Sequence, residues 1–252
     1  RSAGCAMLPL CDEETTLCTG RAPRDKIGRM TKKVERPGVR KGYDLWAASY
    51  DRTPNPLVAL DRRHAVAHLR PRAGERVLDA GCGTGANLRS IATAGAVAVG
   101  LDFSMGMLQS AQRAAPGAML AQADLNNEFP LKRTAFDALL CSLVSEHLTN
   151  LSTFFAETFA VLRHGGRFVF SAFHPEIALA GVEANFEQDG VEYRLGAEPY
   201  SVHDYLNRTD DAGFRDVRSR DYVVDEAMVA EIPWAVKYLG RPLLLIVDAA
   251  RP

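Results

Sequence analysis

Residues 77–88 read VLDAGCGTGANL. A short apolar run meets Asp79, three glycines follow at alternate positions (Gly81, Gly83, Gly85), and a helix-compatible stretch begins. A glycine turn between a strand and a helix lets a ligand approach the backbone closely. Two readings are open. Gly81, Gly83 and Ala86 fit the G-x-G-x-x-G/A pattern that cradles a dinucleotide pyrophosphate. Gly81, Gly83 and Gly85 fit a loop that holds no phosphate.

Working outward, the flanking chain alternates strand-like and helix-like segments. ERVLDAG, AVAVGLDF, AMLAQAD, FDALLCSLV and RFVFSAF read as successive strands. Between them lie helical segments: GANLRSIATA, SMGMLQSAQRAA capped by Ser104, and LSTFFAETFAVLRHGG, whose end is expected at Gly165 and Gly166. Upstream, PNPLVALDRRHAVAHL has Asn55 at the cap and Pro56 at the first helical position, and YDLWAASYD reads as a short amphipathic helix. Downstream, Asp189-Gly190 marks a hairpin, Ser201 caps another helix, and RDVRSRDYVV with PLLLIVDAA forms a final strand pair. The pattern predicts a doubly wound α/β fold: a mainly parallel seven-stranded sheet, helices on both faces, and an antiparallel last strand.

The bulk numbers agree with one such domain. The chain has 252 residues, 47% hydrophobic and 24% charged, with a formal net charge of −1. That near-neutral balance lacks the basic footprint of a nucleic-acid partner. PLLLIVDAA, the longest apolar candidate, is broken by Asp248 and is too short to span a membrane. Five cysteines are present. Cys5, Cys11 and Cys18 lack metal-site spacing, while Cys82 and Cys141 read as reduced buried thiols, so the expected compartment is the cytosol. Residues 1–36 read as a mobile basic extension, with Met30 resembling a natural start. Residues 37–252 read as the domain, with an insertion at about 176–200.

Ligands of open α/β sheets bind beyond the carboxyl ends of the strands. Acids stand there after three successive strands: Asp79, Asp102 and Asp124. A carboxylate at Asp102 suits two ribose hydroxyls, and one at Asp124 suits an exocyclic amine. Asp79 is awkward beside a pyrophosphate and comfortable beside a cation. The three together describe an adenosine that carries positive charge.

VLDAGCGTG, LDFS, ADLNNEFPL with FDALLCSLVSEHL, and VLRHGGRFVFS resemble the successive motifs of class I S-adenosylmethionine-dependent methyltransferases. The likeness is to the menaquinone/ubiquinone methyltransferase-like small-molecule group, and YDLWAASYD resembles that group's entrance helix. The resemblance covers about Gly42 to Phe173. It implies S-adenosylmethionine as cofactor, S-adenosylhomocysteine as product, and a small-molecule methyl acceptor. It also implies that Asp79, Gly81, Cys82, Gly83 and Gly85 line the methionine part. Asp102 would hold the ribose, and Phe103 would sit beside the adenine. Asp124 and Leu125 would bind the base, with Ser142 and Leu143 along the cofactor and Tyr43 and Tyr50 closing over it.

A protic acceptor needs a base, and a histidine is suited to that work near neutral pH. His147 and His174 follow strands, and His203 opens a later helix. His147 and His174 are the candidate general bases. Trp46, His174, Arg194 and His203 are the candidate acceptor-pocket residues, with Arg194 equally suited to an ion pair with a nearby glutamate. Glu146 reads as a helix-start carboxylate. No metal site is expected, and the sequence carries no signal of oligomeric state. Two rival functions use the same fold: a nicotinamide-dependent oxidoreductase, and a cofactor-bound protein of this fold that catalyses a reaction other than methylation.

Overall fold

The computed structural model describes residues 33–252. Residues 1–32, most of the expected extension, lie outside the described residues, as do Cys5, Cys11 and Cys18. Residues 33–36 carry structure. Strand β1 (Lys33–Glu35) is followed by Arg36, whose guanidinium makes paired hydrogen bonds to Glu183 at 2.8 and 3.0 Å.

The segment before the sheet holds helix α1 (Val39–Trp46), a 3₁₀ turn (Tyr50–Arg52) and α2 (Pro56–Leu69). The expected single helix over residues 43–51 is therefore two pieces. The Ser49 hydroxyl donates to the Trp46 carbonyl and closes the first piece. At α2, Asn55 Oδ1 accepts from the Leu57 N–H at 2.9 Å, and Pro56 occupies the first turn where no N–H is needed.

The alternating core follows: β2 (Arg76–Ala80), α3 (Ala86–Thr93), β3 (Val97–Asp102), α4 (Met105–Ala114), β4 (Met119–Gln122), β5 (Phe136–Ser142), α5 (Leu151–Val161) and β6 (Leu162–Phe173). Then come α6 (Pro175–Ala178), the hairpin β7 (Asn185–Gln188) and β8 (Val191–Arg194), α7 (Val202–Asp211), β9 (Arg215–Val223), α8 (Glu226–Glu231), a 3₁₀ segment (Pro233–Tyr238) and β10 (Pro242–Ala250). The sheet order is β4-β3-β2-β5-β6-β10-β9. Strands β2 to β6 pair in parallel, and β10 runs antiparallel to both its neighbours. β3 lies on one side of β2 and β5 on the other, so the sheet changes direction beyond β2 and opens a crevice there.

Strand alternation sorts the apolar residues into two cores. Val77, Leu140 and Ile246 face α2, α3 and α4 on one side, whereas Leu78, Leu139 and Leu245 face the other. The second core is aromatic. Phe154, Phe155, Phe168, Phe170 and Phe214 are fully buried, with ring centroids 5.0–6.3 Å apart. No helix among the described residues is long and apolar enough to cross a membrane.

α5 ends differently from expectation. It stops at Val161, and Gly165 and Gly166 lie within β6. The Thr134 and Ala135 amides, leading into β5, donate to the Ala160 and Val161 carbonyls. Those terminal acceptors are thus satisfied without a glycine cap. Leu162 turns extended (ψ 151°) and is fully buried. The Asp189-Gly190 hairpin, the Ser201 cap and the final strand pair are present as read. Helices α6 and α8 and the Pro233–Tyr238 segment have no counterpart in the sequence reading.

Gly85 holds this arrangement together locally. It caps α3 at φ +85°, and a Cβ there would lie 2.8 Å from the backbone of Ala111 in α4. Gly85→Ala is expected to cost about 2–4 kcal/mol, from left-handed strain plus overpacking, read as a lower urea midpoint with unchanged slope.

Candidate active site

At the carboxyl ends of β2, β3 and β5 lie a small cavity of about 80 Å³ and a cleft of about 990 Å³. Tyr43, Tyr50 and Leu143 line both. The small cavity also takes in Gly81, Gly83, Asp102, Phe103, Asp124, Leu125, Ser142 and His147. The fold thus brings together ten of the thirteen residues expected around a cofactor. Asp79, Cys82 and Gly85 do not line it.

The three glycines do three jobs. Gly81 turns the chain at φ +80°, where a Cβ would sit 2.3 Å from the Val144 side chain. Gly83, at φ +52°, has nothing within 4 Å of a notional Cβ, so it is the open face of the loop. Gly85 packs helices, as above. Cys82 is buried, and burial raises its thiol pKa well above the usual value, so it stays a neutral thiol.

Asp102 is 7% exposed. Its Oδ2 accepts from the Gly83 N–H and its Oδ1 from the Ser104 N–H, both at 2.9 Å. These bonds fix the carboxyl plane at the cavity wall. Burial raises its pKa, and the two amides hold the rise back. Asp124 is exposed, and its Oδ1 accepts from the Asn126 amide at 3.0 Å. Leu143 sits at φ +55°, a left-handed conformation that costs a branched side chain about 1–3 kcal/mol. Its N–H donates to the Ser171 carbonyl at 3.0 Å, which holds the strained turn in place.

Asp79 is the outlier of the site. It is fully buried, and neither carboxyl oxygen has a hydrogen-bond partner. Burial, then the neighbouring Asp61 and Asp102, raise its pKa well above the carboxylate range. Asp61 of α2 is 4% exposed and accepts from the Ser171 hydroxyl, and burial raises it to about 6. Beside it the Asn87 side-chain amide donates to the Ser142 hydroxyl at 3.2 Å. The floor of the site therefore holds several acids, and no cation appears among the influences on Asp79. Such a floor suits a ligand with positive charge and adjacent hydroxyls, and it disfavours a pyrophosphate.

The candidate bases separate in space. His147 lines the small cavity with its Nε2 3.0 Å from the Tyr43 hydroxyl, and burial lowers its pKa to about 4. It is a neutral, weakly basic imidazole at pH 7. His174 lines neither space. Its Nδ1 accepts from the Glu176 N–H, capping α6, and its Nε2 lies 3.4 Å from Asp221. His203 is exposed on α7, and Arg194 bonds Glu192 at 2.7 Å. Neither lines the small cavity or the cleft, so His174, Arg194 and His203 all lie outside these two spaces. Trp46 does line the cleft. It stacks on Phe186 of the hairpin at 4.9 Å, and Phe186 stacks on Tyr193 at 4.9 Å. Glu146, passed over in the sequence as a helix-start carboxylate, lines the cleft with Oε2 buried and unpartnered, and burial raises it to about 7.

The acids set a pH signature. A carboxyl whose folded pKa lies above its unfolded value loses no stability at low pH. It destabilises the fold as pH rises from the unfolded value through the folded one. The window closes near pH 6 for Asp61 and near 7 for Glu146, and Asp79 extends it upward. His147, lowered to about 4, acts with the opposite sign below pH 6.5. The ligand-free protein should therefore melt at lower temperature at pH 8 than at pH 6.5. Asp79→Asn should raise the melting temperature at pH 8, and a flat or rising wild-type profile would contradict this account.

A methyltransferase-domain family model matches residues 78–170. A demethylmenaquinone methyltransferase of Tropheryma whipplei (strain Twist) is 37% identical over 143 residues, covering 54% of this chain and 60% of that protein. The chain thus spans about 60% of the length of that relative. The demethylmenaquinone methyltransferase of Clavibacter sepedonicus is 32% identical over 187 residues, covering 69% of this chain and 76% of the relative. A solved S-adenosylmethionine-dependent methyltransferase from Mesorhizobium loti superposes with a TM-score of 0.66 at 25% identity, covering 78% of this chain and all of that one. With the seven-stranded sheet and the glycine loop after β2, these likenesses place the chain in the class I S-adenosylmethionine-dependent methyltransferases, in their menaquinone-methyltransferase-like group.

Proposed function

We infer that the chain binds S-adenosylmethionine across the small cavity and the part of the cleft that adjoins it at Tyr43, Tyr50 and Leu143, and transfers its methyl group to a small molecule held further along the cleft. The observation that carries this reading is Asp79: a buried carboxyl with two unpartnered oxygens, beside a glycine loop whose Gly83 is open. A cationic ligand on the far side of the loop would offset the charge of this group through space, without touching it. The cofactor has an ammonium and a sulfonium, ribose hydroxyls for Asp102, and an adenine amine for Asp124.

When bound, the cofactor supplies a methyl group made electrophilic by positive sulfur. The protein's own residues bind, orient and exclude water. Asp102, fixed by two amides, holds the ribose hydroxyls. Tyr43 and Tyr50 cover the cavity from the N-terminal side, and Leu143 forms a wall shared with the cleft. Holding two reactants in line is itself worth many kcal/mol of barrier. A grip on the cofactor charge that tightened only in the ground state would not speed transfer. Asp79 is placed for that compromise, because it is buried behind the loop and lines neither space.

The aromatic side of the cleft supports an acceptor with a flat apolar portion, beside a rim that carries Arg62, Arg63, Lys237 and several carboxylates. Trp46, Tyr50, Phe173, Phe186, Trp234 and Tyr238 line it, and residues 182–187 of the insertion form part of its wall. That the relatives are demethylmenaquinone methyltransferases adds weight to an acceptor resembling demethylmenaquinone.

Titration calorimetry with S-adenosylhomocysteine is expected to give a micromolar dissociation constant, with no heat from NAD. Asp102→Ala should weaken binding about 10- to 100-fold, the range for a charged hydrogen-bonding group. Micromolar NAD binding with no response to S-adenosylhomocysteine would overturn the reading. A screen of candidate acceptors with methyl-labelled cofactor then identifies the acceptor.

A further inference from the structure

Several carboxylates line the large cleft, and nearly all are occupied or exposed. Asp51 pairs with Arg62, Glu231 with Arg63, and Glu183 with Arg36. Glu187 is exposed. Glu146 differs. It is carried by the 3₁₀ turn Ser145–His147, and its Oε2 is buried with no hydrogen-bond partner. Successive residues of such a turn diverge by about 120°. The turn thus gives Glu146 to the cleft and His147 to the small cavity.

The position is held from several sides. The Glu146 carbonyl accepts from the Glu198 N–H at 2.8 Å, tying the turn to the segment before α7. The titratable groups around the carboxyl are Tyr43 and Tyr50 from the N-terminal side, Cys141 of β5, Tyr205 of α7 and the adjacent His147. Burial raises the pKa of both tyrosines, of Cys141 and of Tyr205, so all four keep their protons at neutral pH. None can take one from an acceptor. Among the described residues, no cationic side chain bonds or pairs with Glu146, and the cleft's Arg62 and Arg63 are held by Asp51 and Glu231.

We propose that Glu146 is the proton-accepting catalytic residue of the cleft, and that the cleft takes a flat acceptor with an ionisable proton on its nucleophilic centre or conjugated to it. The inference rests on the methyl-transfer reading above. The acceptor's proton passes to the ionised Glu146 carboxylate at Oε1, since Oε2 is enclosed and unpartnered. The bonding pair stays on the acceptor, and Glu146 ends as a neutral acid. A carboxyl pushed up by burial to about 7 is matched to this work at neutral pH, whereas an imidazole lowered to about 4 is not. The role that the sequence assigns to His147 or His174 thus moves to Glu146, the neighbour of His147 in SEHL.

The test uses the full chain with ¹³C-labelled glutamate and 1-naphthol as the probe acceptor, a flat molecule with one acidic hydroxyl. Carbon NMR should show one carboxyl titrating near pH 7, absent from Glu146→Gln and shifted when 1-naphthol saturates the protein. Above pH 7 the probe should bind Glu146→Gln at least tenfold more weakly than wild type. With any acceptor found by the labelled-cofactor screen, Glu146→Gln should lower kcat about 10²–10⁴-fold. Its S-adenosylhomocysteine affinity should stay unchanged, and Glu146→Asp should restore part of the rate. A midpoint near the ordinary carboxyl value, a resonance that the probe leaves unmoved, or equal probe binding by Glu146→Gln would each overturn the assignment. The naphthol titration needs no cofactor. If S-adenosylhomocysteine fails to bind wild type, the methyl-transfer reading falls while the titration still decides the place of Glu146.

Discussion

One buried carboxyl constrains the whole site. Asp79 is the fourth residue of β2, and its register is fixed on both sides, opposite Gly100 of β3 and Leu140 of β5. It cannot swing out to water without breaking two parallel ladders. An ionised carboxylate in such a place costs several kcal/mol unless it is paired. It therefore has two stable fates: to hold a proton, or to meet a positive charge brought from outside. The surroundings reinforce that choice, because the neighbouring Asp61 and Asp102 are also acids. A fold that keeps this arrangement sacrifices stability of the empty protein, which is the expected trade at a binding site.

The glycine loop is the geometric counterpart of that electrostatic demand. If all three glycines served the ligand, a Cβ at each would project into the cavity. Only Gly83 meets empty space. Gly81 makes room for Val144, and Gly85 makes room for α4. A G-x-G-x-G spacing thus encodes one point of ligand approach and two points of packing. The packing points matter to the ligand indirectly. Gly85 brings α3 and α4 together, the Gly83 and Ser104 amides share Asp102, and that shared carboxylate is what the cavity presents.

Much of this was legible in the sequence, because the controlling signals are local. Alternating apolar runs set the strands. Asn55, Ser104 and Ser201 set helix starts through their own side chains. Asp102 at the end of β3 and Asp124 just after β4 mark the ligand end of the sheet, whereas Asp79, read as following its strand, lies within β2. The failures were non-local. Gly165 and Gly166 looked like a helix cap, yet the Ala160 and Val161 carbonyls take amides from the chain entering β5. His174 looked like a base, yet its ring caps α6. His147 was judged by its side-chain type, and its burial against Tyr43 removed its basicity. Periodicity cannot report how deeply a particular ring is desolvated.

Glu146 and His147 show why adjacency in sequence is a poor guide to shared work. They are consecutive, they follow the same strand, and both are ionisable. A single 3₁₀ turn points them at different spaces, and burial moves them in opposite directions: the acid upward toward neutrality, the base downward away from it. Desolvation always favours the uncharged form. A buried carboxyl therefore becomes a better match for proton transfer at neutral pH, while a buried imidazole becomes a worse one. The same physics that makes Asp79 demand a cation equips Glu146 to accept a proton. The strained Leu143 between the two spaces keeps those tasks apart.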